Sequence, residues 1–378
     1  MNTSHTFHFN VSIPVRLGCC LLTGLLAASC ASSPFHDPPE IPELANQPSH
    51  AIQDVELLAM TPEMEEFVDR HSGRGSRWQN KTWTLAYAVM DPYILDFEYD
   101  PQVTLPADQA FEQREGNCLS FSSMFVAMAR KAGMKAYFQE VEIPPTWSNV
   151  DDNLLVSKHV NAVVYSEGHT FTVDVSRRKT REIERTRRLS DKEAEAQYYN
   201  NLGADALIAQ DIGLAYAYFG KALETDSGLS YIWSNIGVIL RRNGQTEDAI
   251  LAYQTALEME PDQSVALNNL HVIYTEDGNL AAAEELGARV ERNRRKNPYY
   301  MQYLAELAIE EMRYDDAIGL AKKAIRMDAR EYRFYYTLAQ AQYLDGKTNL
   351  AQASLDQALQ RAPDFEAKSK LVLPPEDY

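Results

Sequence analysis

The feature that most constrains this chain is a repeat with a period of 34 residues, starting at residue 196. Units beginning at 196, 230, 264, 298 and 332 align without insertion or deletion across five copies. Their eighth position reads Gly203, Gly237, His271, Ala305 and Ala339, and their twentieth is Ala215, Ala249, Ala283, Ala317 and Ala351. The twenty-fourth reads Phe219, Tyr253, Gly287, Ala321 and Leu355, and the twenty-seventh Ala222, Ala256, Val290, Ala324 and Ala358. Small residues at positions 8 and 20 let two antiparallel helices approach closely. The larger residue at position 24 is expected to fill the gap to the next unit. Units of this length cannot bury their apolar faces alone, so they must stack.

The pattern resembles the tetratricopeptide repeat, with units 1, 2 and 5 fitting best, unit 3 degenerate, and the proline of position 32 kept as Pro261 and Pro363. The resemblance implies an all-α, right-handed solenoid over residues 196–365 whose concave face takes a protein or peptide partner. Asn200, Asn201, Asn235, Asn268 and Asn269 fall on the first helices and are expected to be exposed. There they either clamp a peptide backbone or serve as polar residues of a solvated helix.

Upstream of the repeats, the run Arg114-Glu115-Gly116-Asn117-Cys118-Leu119-Ser120-Phe121 opens a second kind of structure. Phe121, Met124, Phe125, Met128 and Ala132 recur at helical spacing, so an amphipathic helix is expected to start at Cys118. Arg130 and Lys131 suit its last turn and Gly133 its stop. A thiol at a helix N-terminus faces unpaired N–H groups and the positive end of the dipole, which favour thiolate. The bland alternative is a small core hydrophobe.

Two later segments bear on that choice. Residues 159–165 and 170–175 read as strands joined by a tight turn over Ser166-Glu167-Gly168-His169. Closing that hairpin pairs 166 with 169 and 161 with 174, which makes His159 and Asp174 diagonal neighbours on one face. A carboxylate so placed can orient an imidazole. The order Cys118, His159, Asp174, with Gly116-Asn117-Cys118 and the stretch Ala129 to Ala136, resembles the transglutaminase-like superfamily from about Leu105 to Val175. The resemblance implies an α+β, papain-like domain with Cys118 as nucleophile, His159 as general base and acid, and Asp174 as orienting carboxylate. It implies acyl transfer at amide carbonyls, either hydrolysis by a peptidase or amidase or transfer to an amine, with no cofactor. Many relatives carry an aromatic two residues after the histidine, where this chain has Asn161.

The N-terminus reads as a targeting segment. Arg16 precedes an apolar run, Leu17 to Ala28, too short for a stable membrane span. Its end, Leu25-Leu26-Ala27-Ala28-Ser29-Cys30, resembles the lipobox of bacterial lipoproteins. That resemblance implies a lipidated Cys30 anchoring the chain to a membrane, with cleavage by an ordinary signal peptidase as the alternative. Ala31, rather than aspartate, implies outer-membrane retention facing the periplasm. On that resemblance, Cys19 and Cys20 of the four cysteines would leave with residues 1–29 and Cys30 would be acylated. Cys118 then stands as a lone free thiol in an oxidising compartment, more readily explained by chemistry than by packing. A net charge of −18, from 54 acidic and 36 basic residues, argues against a nucleic-acid partner.

The expected layout is a signal peptide over 1–29, a Pro-rich tether over 30–55, the transglutaminase-like domain over 56–176, a basic linker over 177–195, the repeats over 196–365 and a tail over 366–378. Thr61-Pro62 reads as a helix start, and Trp78, Trp83, Tyr87 and Met90 as core of a second helix. Many papain-like enzymes use an upstream residue as an oxyanion donor, a role left unassigned between Gln79 and a tryptophan there; Trp147 reads as a cleft residue or a hydrophobic peg, and His169 as a surface residue. No cysteine–histidine cluster has metal-ligand spacing. Two functions fit: a membrane-anchored thiol enzyme with a partner-binding array, or an inactive transglutaminase-like fold serving with the repeats as an interaction scaffold.

Overall fold

The computed structural model describes residues 51–72, 78–141, 159–166, 169–175, 186–362 and 365–373. The chain divides into two compact units, the first holding the described residues up to Ala266 and the second those from Leu267 onward. Cys30, most of the tether, Trp147 and the turn at 167–168 lie outside the described residues, as do the side chains of Trp78, Gln79 and His169. No helix among the described residues is long and apolar enough to cross a membrane.

The first unit opens with α1 (Pro62–His71), capped by Thr61, whose hydroxyl accepts from the Met64 N–H, and with proline in its first turn. Helix α2 (Trp78–Met90) follows. It buries Thr82, Leu85, Ala86 and Val89, while Trp83 and Tyr87 are 39% and 47% exposed. The expectation that these aromatics are core is therefore wrong. The stripe at i, i+3, i+4 and i+7 that faces inward is the small and aliphatic one.

A two-residue strand β1 (Glu98–Tyr99), helix α3 (Ala107–Gln113) and strand β2 (Glu115–Gly116) lead to α4 (Cys118–Lys131). β1 and β2 pair in parallel. A four-stranded antiparallel sheet follows: β3 (Lys135–Val141), β4 (His159–Ser166), β5 (His169–Val173) and β6 (Thr186–Leu189), in the order β5-β4-β3-β6. Helix α4 packs on α1, α2, α3, β3 and β4, and every residue from Cys118 to Ala129 is buried. It is thus enclosed on all sides rather than amphipathic. Ser122 and Ser123 turn their hydroxyls back to the Cys118 and Leu119 carbonyls, which satisfies them in that setting.

The repeats form helical hairpins: α5 (Asp191–Ile208) with α6 (Ile212–Thr225), α7 (Ser230–Arg242) with α8 (Thr246–Met259), α9 (Ser264–Glu276) with α10 (Leu280–Arg294), α11 (Pro298–Glu310) with α12 (Tyr314–Met327), and α13 (Tyr332–Leu344) with α14 (Thr348–Arg361). A short α15 (Phe365–Ser369) follows. The alanines of position 20 are buried throughout. Position 24 makes a contact within its own unit that the 34-residue spacing did not reveal. It packs against position 8 of its own hairpin: a Cβ on Gly203 would lie 2.7 Å from the Phe219 ring, and one on Gly237 2.6 Å from the Tyr253 ring. In unit 3 the two roles are exchanged, with His271 at position 8 lying over Gly287 at position 24, where a Cβ would sit 3.1 Å from its Nε2. The degenerate unit is a compensated swap of large and small.

The linker expected over 177–195 is corrected at its described end. Residues 186–189 form β6, an edge strand on β3, and Asp191 already belongs to α5. Ser190 and Glu193 make a capping box, Arg187 pairs with Glu193 and Glu140, and Arg130 of α4 holds Asp191 through two bonds of 2.6 and 2.8 Å. The end of the tether is also docked: the Val55 N–H donates to the Tyr199 hydroxyl at 2.9 Å and Asp54 pairs with Lys221. Within the first unit, then, the first hairpin is joined to the sheet domain by strand, cap and ion pairs. It does not follow a free linker.

Candidate active site

Gly116 and Asn117 set the position of Cys118. Gly116 has φ +154°, and a Cβ there would fall 2.5 Å from that of Ser120, so only glycine lets the chain pass this close to the first turn. Asn117 is the N-cap. Its Oδ1 accepts from the Leu119 and Ser120 N–H groups, both at 3.0 Å, and its Nδ2 donates to Thr104 at 2.7 Å. Cys118 is the first helical residue, so its own N–H has no intrahelical acceptor. At the other end, Gly133 takes φ +79° and the Met134 N–H returns to the Ala129 carbonyl, the stop read from sequence.

The hairpin closes in the anticipated register. Ser166 pairs with His169 and Ala162 with Val173, which sets Asn161 directly across from Asp174. His159 Nε2 and Asp174 Oδ2 are 2.7 Å apart, and Cys118 is close enough to act on the same ring and raise its basicity. With Nε2 held by the carboxylate, Nδ1 is the nitrogen left for the thiol. The site is closed in: both the His159 and Asp174 side chains are 11% exposed and Cys118 is 9% exposed.

Burial by itself pulls the His159 pKa down, because a buried imidazolium loses its hydration. The hydrogen bonds and negative charges of Asp174 and Cys118 outweigh that loss and raise it from 6.5 to about 10. The imidazole is therefore held protonated between two acceptors. Such an arrangement suits a thiolate–imidazolium pair that attacks a carbonyl and then protonates the leaving group.

Asn161 is the participant that sequence reasoning left without a role. It is fully buried, and its Nδ2 donates to the Asp174 carboxylate at 3.3 Å. Strand alternation and the predicted register already placed it beside the carboxylate, so its part was legible. The asparagines proposed as an exposed clamp behave differently. Asn200, Asn201, Asn235 and Asn269 are buried, which corrects the expected exposure, and Asn268 is half-buried and accepts from Arg294. Asn235 Nδ2 donates to Asn200 Oδ1 at 2.8 Å. Asn200 Nδ2, Asn201 Oδ1 and Asn235 Oδ1 have no partner among the described residues.

Family models agree with this architecture. A family model of the transglutaminase-like superfamily matches residues 72–173, and tetratricopeptide repeat models match 230–263 and 304–366. The chain carries a transglutaminase-like domain over residues 72–173, followed by tetratricopeptide repeats. Curated relatives include the Photosystem I assembly protein Ycf3 of Cyanophora paradoxa, 30% identical over 142 residues, covering 37% of this chain and 70% of that protein. Ycf3 of Rippkaea orientalis is 36% identical over 94 residues, covering 25% of this chain and 54% of its own length. The chain thus spans about half the length of the latter. Among solved structures, Pseudomonas aeruginosa pilF is 16% identical with a TM-score of 0.30, over 47% of this chain and 82% of pilF. Yeast Tom70 is 18% identical with a TM-score of 0.34, over 47% of this chain and 38% of Tom70.

Proposed function

We propose that this protein is a thiol acyltransferase of the cell envelope, anchored by a lipid on Cys30, that uses its repeats to hold a protein partner. The observation that carries the reading is the His159 ring held by Asp174 at 2.7 Å, with Cys118 close enough to act on the same ring. In this mechanism the Cys118 sulfur attacks an amide carbonyl, and the oxyanion is met by the Cys118 N–H at the helix start. As the C–N bond breaks, His159 gives its proton to the departing amine, leaving a thioester. Water or a second amine then attacks the thioester while His159 takes up its proton. The acid or the new amide leaves and the thiolate returns. Asp174 holds the ring orientation through both steps.

The partner-binding half rests on the tetratricopeptide repeats matched over residues 230–263 and 304–366, a repeat that generally mediates protein–protein interactions.

Alkylation of Cys118 by iodoacetamide tests the catalytic half. A free thiol near pKa 8.5 reacts slowly at pH 6, whereas Cys118 should react fast there, and His159→Ala should remove the acceleration. Turnover of a glutamine- or peptide-amide donor, with and without an added amine, then separates hydrolysis from transfer. A thiol that reacts only on unfolding would hand the function to the scaffold reading. For the anchor, Cys30→Ala should move the protein out of the membrane fraction, and a mature N-terminus with no acyl mass would refute it.

A further inference from the structure

Resting on the catalytic reading above, we infer that Asn161 is a positioning residue that fixes Asp174 in the orientation His159 needs. The register makes the need plain. Asn161 is the direct cross-strand partner of Asp174, while His159 lies one pleat along, on the diagonal. A short aspartate side chain that must reach diagonally has other staggered rotamers open to it, so something has to exclude them. The Asn161 amide does so. Its Nδ2 donates at 3.3 Å to Oδ2, the same oxygen that meets His159 Nε2 at 2.7 Å. One carboxylate oxygen thus collects two donors, one from its direct neighbour and one from its diagonal neighbour, and its position is set by both.

The surroundings strengthen the role. Asn161 is 0% exposed, so it fills space from which water would otherwise compete for the carboxylate. Its Oδ1 has no partner among the described residues, a cost of about 1–3 kcal/mol. An amide at this place is therefore dear in stability terms compared with an apolar side chain of similar size, such as leucine. The hydrogen bond to Asp174 is the interaction that the apolar residue could not make.

The test uses the full-length protein and the rate of Cys118 alkylation by iodoacetamide from pH 5 to 8. Asn161→Leu removes the donor and should slow the reaction at pH 6 about tenfold, the worth of one hydrogen bond to a charged group. Asn161→Asp supplies a donor only while it is protonated. Burial and the adjacent Asp174 carboxylate raise that acid above its usual ~3.9, so the rate should be highest at pH 5 and fall to that of the leucine variant or below by pH 7, a limb the wild type lacks. This pH limb also decides the matter should Asn161→Leu fail to fold. Two variants that match the wild type at every pH, or that slow by one pH-independent factor, would overturn the inference. A wild-type protein that shows no acceleration at pH 6 would instead overturn the catalytic reading, and this inference with it.

Discussion

Replacing Gly237 with alanine sets two known effects against each other, and the structure decides which prevails. In a helix interior, glycine to alanine is intrinsically favourable by about 1 kcal/mol. At Gly237, however, the new Cβ would lie 2.6, 2.8 and 2.8 Å from three atoms of the Tyr253 ring. Carbon atoms in contact sit at about 3.5–4.0 Å, so the overlap is roughly 1 Å against a rigid ring that is itself 0% exposed. Overpacking of this kind costs about 1–3 kcal/mol, and three contacts on one buried ring place it at the upper end. Gly237→Ala should therefore destabilise by about 1–2 kcal/mol net. Gly220, inside α6, has nothing within 4 Å of its Cβ position, so Gly220→Ala should stabilise by about 1 kcal/mol. Urea unfolding followed at 222 nm reads both as shifts in midpoint of opposite sign. In a Tyr253→Leu background the Gly237→Ala penalty should vanish. A rise in midpoint for Gly237→Ala alone would refute the argument that the ring of position 24 seats on the glycine of position 8.

Three further outcomes follow from the same structure. Because His159 is raised from 6.5 to about 10, its paired, protonated form adds stability that is fully present below pH 6.5 and lost as pH rises through 10. The stability difference between wild type and His159→Gln should shrink across that window, by at most roughly 5 kcal/mol, in urea titrations at each pH. A fragment ending at 226 keeps β6 on the edge of β3 together with the docked first hairpin and should stay folded, whereas one ending at 176 exposes that edge and should aggregate, as light scattering and circular dichroism would read. In unit 3, Gly287→Phe alone should destabilise by clashing with His271, and His271→Gly alone should leave a cavity. The double variant should recover most of both losses in a thermodynamic cycle.

Much of this protein was legible in its sequence because the determining forces are local or strictly periodic. A 34-residue period specified the helical hairpins, since each unit repeats the same packing problem. Asn117, Arg130, Lys131 and Gly133 marked the ends of α4 through backbone groups within one turn. The turn between β4 and β5 set the register, and with a pleat period of two the register placed His159, Asn161 and Asp174 together.

What only the tertiary structure decided is where competing readings depend on a partner far away in sequence. Thr186-Arg187-Arg188-Leu189 has one apolar residue and no alternation. It is a strand because β3 offers an open edge, Glu140 and Glu193 neutralise Arg187, and Tyr137 lies under Arg188 at 4.4 Å. Trp83 and Tyr87 looked like core by type, but the helix turns its smaller stripe inward, because α2 must lie close to α4. The buried asparagines of α5 and α7 looked like surface by type, yet packing encloses them. Residue type fixes the local backbone preference, while burial is a property of the neighbours the chain brings together, and those are set only when the fold closes.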